Sequence, residues 1–389
     1  MALAAATVLF VGCGKAPVAR FELNLQGRDP AEFYPAEAPD EAAAKQAERR
    51  DQVIAAISTA LTALFGTPDD PYVFPESGLD LKKLQLAAGP YGRDAQGMTH
   101  GLYRQHCVHC HGVSGDGAGP TALFLRPYPR DYREGKFKFK STERWAMPTH
   151  GDLKRVLIDG VPGTAMPSFA LLPDNEVEAL VEYVKYLSIR GQTEQMMLFT
   201  WLVNEEDIDL SADNLLQNMM LPVVEPWQQA ESQVIVPSDR PAVDTPELLA
   251  ASIASGKELF MGAKSQCTKC HGPTALGDGS DEQLFDDWNK DKNPEHPNWW
   301  LLPKQDLEPR NLRLGIYRGG RRPVDIYRRI HAGINGGPMP GAGPPGPGQP
   351  AVLQPDEIWQ IVDYVLSLPY EPMSEPARFE LTTAQRSQM

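Results

Sequence analysis

Apolar positions recur along this chain with a helical period, and neither of its two main segments alternates as a half-buried strand would. From Glu41 to Phe65, Ile54, Ile57, Leu61 and Leu64 fall on one helical face, with Gly66 as a stop. Pro173-Asp174 opens a second helix, with Val177, Leu180, Val181 and Val184 at i, i+3, i+4 and i+7. Pro355-Asp356 opens a third, with Ile358, Ile361, Val362 and Val365 in the same register. Shorter helices are expected around Gly101-Leu102-Tyr103, from Leu248 to Met261, and from Met196 to Val203. The run VVEPWQQAESQVIVPSDRP has no helical period and reads as an ordered linker. The Pro/Gly stretch 341–350 reads as a surface loop, and the polar residues 373–389 as a frayed end. The pattern predicts an all-α fold.

The chain also repeats itself. The first repeat reads CHGVSGDGAGP (110–120), then Pro129-Arg130-Asp131, then DLKRVLIDGVPGTAMPSF (152–169). The second reads CHGPTALGDGS (270–280), then Pro309-Arg310-Asn311, then DIYRRIHAGINGGPMPG (325–341). Asp152 and Met166 lie 14 positions apart, as do Asp325 and Met339. The second repeat is longer overall, mostly through a Trp-, Asp- and Lys-rich insertion at 281–308 that contains Trp299 and Trp300. Those two tryptophans are candidates either to cover the second site or to staple the loop.

Each repeat carries Cys-x-x-Cys-His: Cys107, Cys110 and His111, then Cys267, Cys270 and His271. This is the attachment signature of a c-type haem. On one helical turn, side chains at i and i+3 share a face. Two thiols so placed reach the two vinyl groups of one porphyrin, and the following histidine turns under the ring to bind iron. A four-cysteine zinc site is the rival use of such pairs, but it leaves both histidines unexplained. The reading therefore implies two haem c groups.

An iron with one histidine takes a second axial ligand or stays open. Met166 in GTAMPSF and Met339 in GGPMPGA recur at matching points, each followed by proline and preceded by glycine. A lone methionine is usually core filler, yet the recurrence in register points to axial ligation, with a thioether favouring ferrous iron. His150 and His331 are the rival ligands; His331 has Ile158 at its aligned position. Arg130 and Arg310 also recur, and arginine suits the carboxylates of haem propionates as well as an ordinary ion pair.

A net charge of −14 argues against nucleic acid and favours basic or charge-complementary partners. The fifth cysteine, Cys13, ends the apolar run Leu9-Phe10-Val11-Gly12 and resembles a bacterial lipoprotein signal, although no positive residue precedes it. Cleavage before Cys13 and acylation of its thiol would tether the chain to a membrane. No later stretch has the 18 or more apolar residues of a transmembrane helix.

With these motifs in hand, 96–190 and 246–370 each resemble a class I cytochrome c domain, and RPYPRDYREGKFKFKST with DLKRVLIDGVPGTAMPSF resembles monohaem domains of bacterial respiratory chains. The resemblance implies helices wrapped around one haem per domain, with a ring edge exposed for electron exchange, and export to the periplasm or the outer face of the membrane. The expected organisation is 1–13 signal and lipobox, 14–95 N-terminal helical extension, 96–192 first domain, 193–245 loop-rich linker, 246–372 second domain and 373–389 tail. The implied function is single-electron transfer rather than catalysis. A quinol-oxidising complex or dehydrogenase would be the donor, and an oxidase or reductase the acceptor. Alternatives are a dihaem peroxidase, which needs one open iron and acid–base groups beside it, and a fixed cytochrome subunit of a larger complex.

Overall fold

Caps and apolar stripes set the helices of this chain in a computed structural model that describes residues 19–26, 41–280, 282–290 and 301–371. The principal helices are α1 (Glu41–Phe65), α2 (Leu81–Ala87), α3 (Leu102–His106), α4 (Val108–His111), α5 (His150–Asp159), α6 (Asp174–Leu198), α7 (Leu221–Gln228), α8 (Pro246–Met261), α9 (Thr268–His271), α10 (Pro323–Ala332) and α11 (Pro355–Ser367). One two-residue hairpin, β1 (Gly92–Arg93) antiparallel to β2 (Thr99–His100), is the only sheet among the described residues. The fold is all-α, as the periodicity predicts. Cys13, Trp299, Trp300 and the 373–389 tail lie outside the described residues.

The chain divides into two compact units, the first from Met1–Gly135, Leu172–Glu225 and Asn298–Leu302, the second from Lys136–Leu171, Pro226–Pro297 and Pro303–Met389. In the first, α1 and α2 pack on α6, and the core holds Ile57, Leu61, Phe65, Leu84, Leu180, Tyr183 and Tyr186. The Tyr186 hydroxyl donates to the Phe65 carbonyl, tying the end of α1 to the middle of α6. Asp80 caps α2 by accepting from Lys82 N at 2.9 Å, and its own amide donates to buried Glu182 on α6 at 2.7 Å. The 14–95 extension thus contributes core.

Two expectations need correction. The helix expected at Met196 continues from α6 without a break. Gly191 does not stop it, because α6 lies so close to Arg133 that a Cβ at Gly191 would sit 2.4 Å from the Arg133 Cα. Close packing, not helix termination, selects this glycine. Part of the segment expected to lack helical structure forms α7, with Pro226 inside it. Burial of Val223, Val224 and Trp227 outweighs the lost backbone donor.

In the second unit α8 crosses α11 where a Cβ at Gly256 would meet the Gln360 carbonyl oxygen at 1.9 Å. Phe260, Ile326, Tyr327, Ile330, Ile358, Trp359, Ile361, Val362 and Tyr364 fill the core between α8, α10 and α11. Helix α5 starts with a capping box: Thr149 Oγ1 accepts from Asp152 N at 3.0 Å, and Asp152 Oδ2 accepts from Thr149 N at 3.2 Å. Among the described residues no helix is long and apolar enough to cross a membrane.

Candidate haem-binding sites

The two Cys-x-x-Cys-His segments fold alike, bond for bond. In each, the histidine amide donates to the first cysteine's carbonyl at 2.9 Å, which makes the motif one helical turn. Gly112 (φ 72°) and Gly272 (φ 74°) then reverse the chain in a conformation that favours glycine. The following loop folds back: Gly117 N donates to His111 O at 3.0 Å and Gly277 N to His271 O at 2.9 Å. Gly119 N and Gly279 N close the same turn on Cys110 O and Cys270 O, both at 3.1 Å.

The two motif histidines share one setting. His111 is buried, and burial pushes its imidazole down to about 4, so it is neutral at pH 7. Its Nδ1 lies 3.0 Å from the Arg130 carbonyl, which only accepts, so Nδ1 carries the proton and Nε2 keeps its lone pair. His271 repeats this at 3.3 Å from the Arg310 carbonyl, and burial lowers its pKa too. Tyr132 stacks on His111 with ring centroids 4.6 Å apart and 17° between planes. Phe260 stands 6.2 Å from the His271 ring.

Sequence reasoning placed Arg130 and Arg310 near propionates through their side chains and missed the work of their carbonyls. Any residue offers a carbonyl; the recurring Pro-Arg at one spacing was the available signal. Asp131 and Asn311 hold these carbonyls in place by accepting from Arg133 N and Arg313 N, each at 3.0 Å, in equivalent 3-10 turns. The Arg310 side chain keeps a buried Nε without an acceptor, which suits a carboxylate group.

The methionine loops also match. Val161 N donates to Met166 O at 3.1 Å, and Ile334 N to Met339 O at 3.0 Å. Phe169 N and Ala342 N anchor the loop ends on Leu157 O and Ile330 O, both at 2.8 Å. His271 and Met339 belong to the second unit; Cys107, Cys110 and His111 belong to the first, and Met166 to the second. The rival histidines have other settings. His331 Nε2 lies 3.4 Å from Glu143 and its ring stacks on Tyr327, and His150 heads α5.

The donor set fits covalent haem. Cys107, Cys110, Cys267 and Cys270 are all free. Burial pushes the Cys107 thiol up to about 12 and raises Cys267 as well, so these sulfurs are neutral rather than thiolate ligands. Among the described residues no three His, Cys, Asp or Glu side chains gather as a metal site. In each motif two free cysteines stand beside a buried or half-buried imidazole whose pKa burial lowers, a donor set that fits thioether attachment and iron binding.

Comparison with known families agrees. Residues 98–184 match the family described as cytochrome c oxidase, cbb3-type, subunit III, and residues 253–369 match cytochrome c. This chain is a c-type cytochrome. More particularly, it is of the dihaem kind, with two cytochrome c domains in tandem. No curated protein matches it. Among solved structures, a chain of the reducing HAO-like protein complex of Kuenenia stuttgartiensis is 25% identical, with 69% of this chain and 94% of that chain covered and a TM-score of 0.46.

Proposed function

We propose that the protein passes single electrons between redox protein partners through two haem c groups, one held by Cys107, Cys110, His111 and Met166, the other by Cys267, Cys270, His271 and Met339. The observation that carries this reading is the repeated pairing of a neutral histidine, fixed through Nδ1 to an arginine carbonyl, with a Met-Pro loop in register. Bound haem supplies the one-electron ferric/ferrous couple. The chain's own residues do the rest. The carbonyls of Arg130 and Arg310 set the imidazole tautomer and orientation. The thioethers of Met166 and Met339 would favour ferrous iron and raise the potential. Arg310, and Arg130 in the matching position, would receive propionates.

With both irons saturated, neither would bind peroxide without losing a ligand. That is why electron transfer is favoured over a dihaem peroxidase. A quinol-oxidising complex or dehydrogenase as donor, and an oxidase or reductase as acceptor, fit the acidic chain and the respiratory resemblance of the first domain. A place as a fixed subunit of a larger complex involves the same chemistry. Acylation of Cys13 would hold the protein on the periplasmic side of a membrane; Cys13→Ser would then move it from the membrane to the soluble fraction. Met166→Ala and Met339→Ala test the core of the proposal. Each should lower the potential of its own haem and open that iron to carbon monoxide. An unchanged spectrum in both would refute the axial assignment.

A further inference from the structure

Each methionine loop is held by an arginine from the other repeat. Arg144, in the first repeat, donates from Nη1 to the Met339 carbonyl at 3.2 Å and to the Ala332 carbonyl at 3.4 Å. Arg318, in the second, donates from Nη2 to the Gly163 carbonyl at 3.4 Å, three residues before Met166. Arg144 lies eight residues before Asp152, and Arg318 seven before Asp325, the aligned aspartates of the duplication. The exchange is therefore close to reciprocal.

Both loops are shaped for it. A Cβ at Gly333 would sit 2.6 Å from Arg144 Nη1, and one at Gly163 would sit 2.9 Å from Arg310 Nη2, beside Arg318. Arg144 is presented on a preset turn, because Lys140 Nζ donates to the carbonyls of Glu143, Arg144 and Ala146. The helices leading into the two loops are clamped as well. Arg155 of α5 donates to Asp152 at 3.2 Å on its own helix and to Asp325 of α10 at 3.0 Å.

We propose that Arg144 and Arg318 are crossed positioning residues, Arg144 for Met339 and Arg318 for Met166, so that the potential of each haem depends on the opposite domain. The inference rests on the axial reading given above. Two physical effects act together. The guanidinium holds the main chain that carries the thioether, in Met339 through the ligand's own carbonyl, which also accepts from Ile334 N. Its fixed positive charge beside the ligand loop would also disfavour the ferric state of a bound haem. Loss of either arginine weakens the methionine bond and the ferrous preference at one haem only.

The test is a redox titration of the holoprotein, with each wave assigned by Met166→His and Met339→His. Arg144→Gln should lower the second haem's wave and Arg318→Gln the first's. A tenfold loss of ferrous preference would read as about 59 mV for one electron. Displacement of methionine by added imidazole should also quicken at that haem alone. Where a glutamine variant fails to load haem, Arg144→Lys or Arg318→Lys carries the same comparison. Either arginine moving the wave of its own domain, both waves equally, or neither, overturns the proposal while leaving the axial reading intact. If neither Met→His variant moves a wave, the axial reading falls and this inference with it.

Discussion

Gly256→Ala sets helix propensity against packing, and the structure decides the sign. In an isolated helix the change favours the fold by about 0.8–1.0 kcal/mol. In this chain Gly256 lies on α8 where it crosses α11. The added Cβ would stand 1.9 Å from the Gln360 carbonyl oxygen, 2.5 Å from its carbon and 3.0 Å from Tyr364 Cβ. Ordinary van der Waals contact begins at 3.4 Å, so the helices must separate by about 1.5 Å. The nearest atoms are main chain, so no rotamer change relieves the clash. Overpacking costs about 1–3 kcal/mol, and a main-chain clash belongs at the upper end. The net loss is about 2 kcal/mol, or about thirtyfold in the folded-to-unfolded ratio of the second domain. The strain reaches the site, because Phe260 packs one turn further along α8, edge-on to Tyr364 at 5.3 Å and 6.2 Å from His271. Urea unfolding of the holoprotein, followed through haem absorbance and aromatic fluorescence, measures it. A variant as stable as the parent, or more so, would refute the packing argument and show that helix propensity outweighs the clash.

Replacing Cys267 and Cys270 with serine should leave one covalent haem per chain by iron content, and two would remove these residues from attachment. Asp325 supplies a pH dependence. Burial alone would raise its pKa, but Arg322 and Arg155 outweigh burial and hold it below the usual carboxylate value. Its contribution is present above pH about 4 and lost as pH falls through the lowered value. Asp325→Asn should remove that loss, flattening the fall of stability below pH 4 in acid-unfolding curves. An unchanged slope would mean that Asp325 is not a net contributor.

The haem-binding turns, the two Met-Pro loops and the long helices were legible because each rests on local spacing. A thiol pair on one turn, an apolar stripe and a repeated offset are all written in the order of residues. α1 follows its pattern to the residue, ending at Phe65 before Gly66. What stayed hidden depends on chain segments far apart in sequence. The helix expected from Met196 is a continuation of α6, and Gly191 within it is selected by the Arg133 backbone that lies against it. The run that begins at Val223 has no helical period, and only burial of Val223, Val224 and Trp227 explains α7 with Pro226 inside it. The Arg130 and Arg310 carbonyls were invisible because main-chain chemistry has no residue signature. Arg144 and Arg318 stand in ordinary polar contexts, and nothing local to either announces a methionine loop 195 or 155 residues away.

The most direct measurement is the optical spectrum of the purified ferric and ferrous protein, with and without peroxide and carbon monoxide. Double His/Met ligation predicts two low-spin haems, a far-red iron–methionine charge-transfer band and no binding of either added ligand. A high-spin component, or one haem that reacts with peroxide, would contradict that ligation and return the protein to the class of dihaem peroxidases.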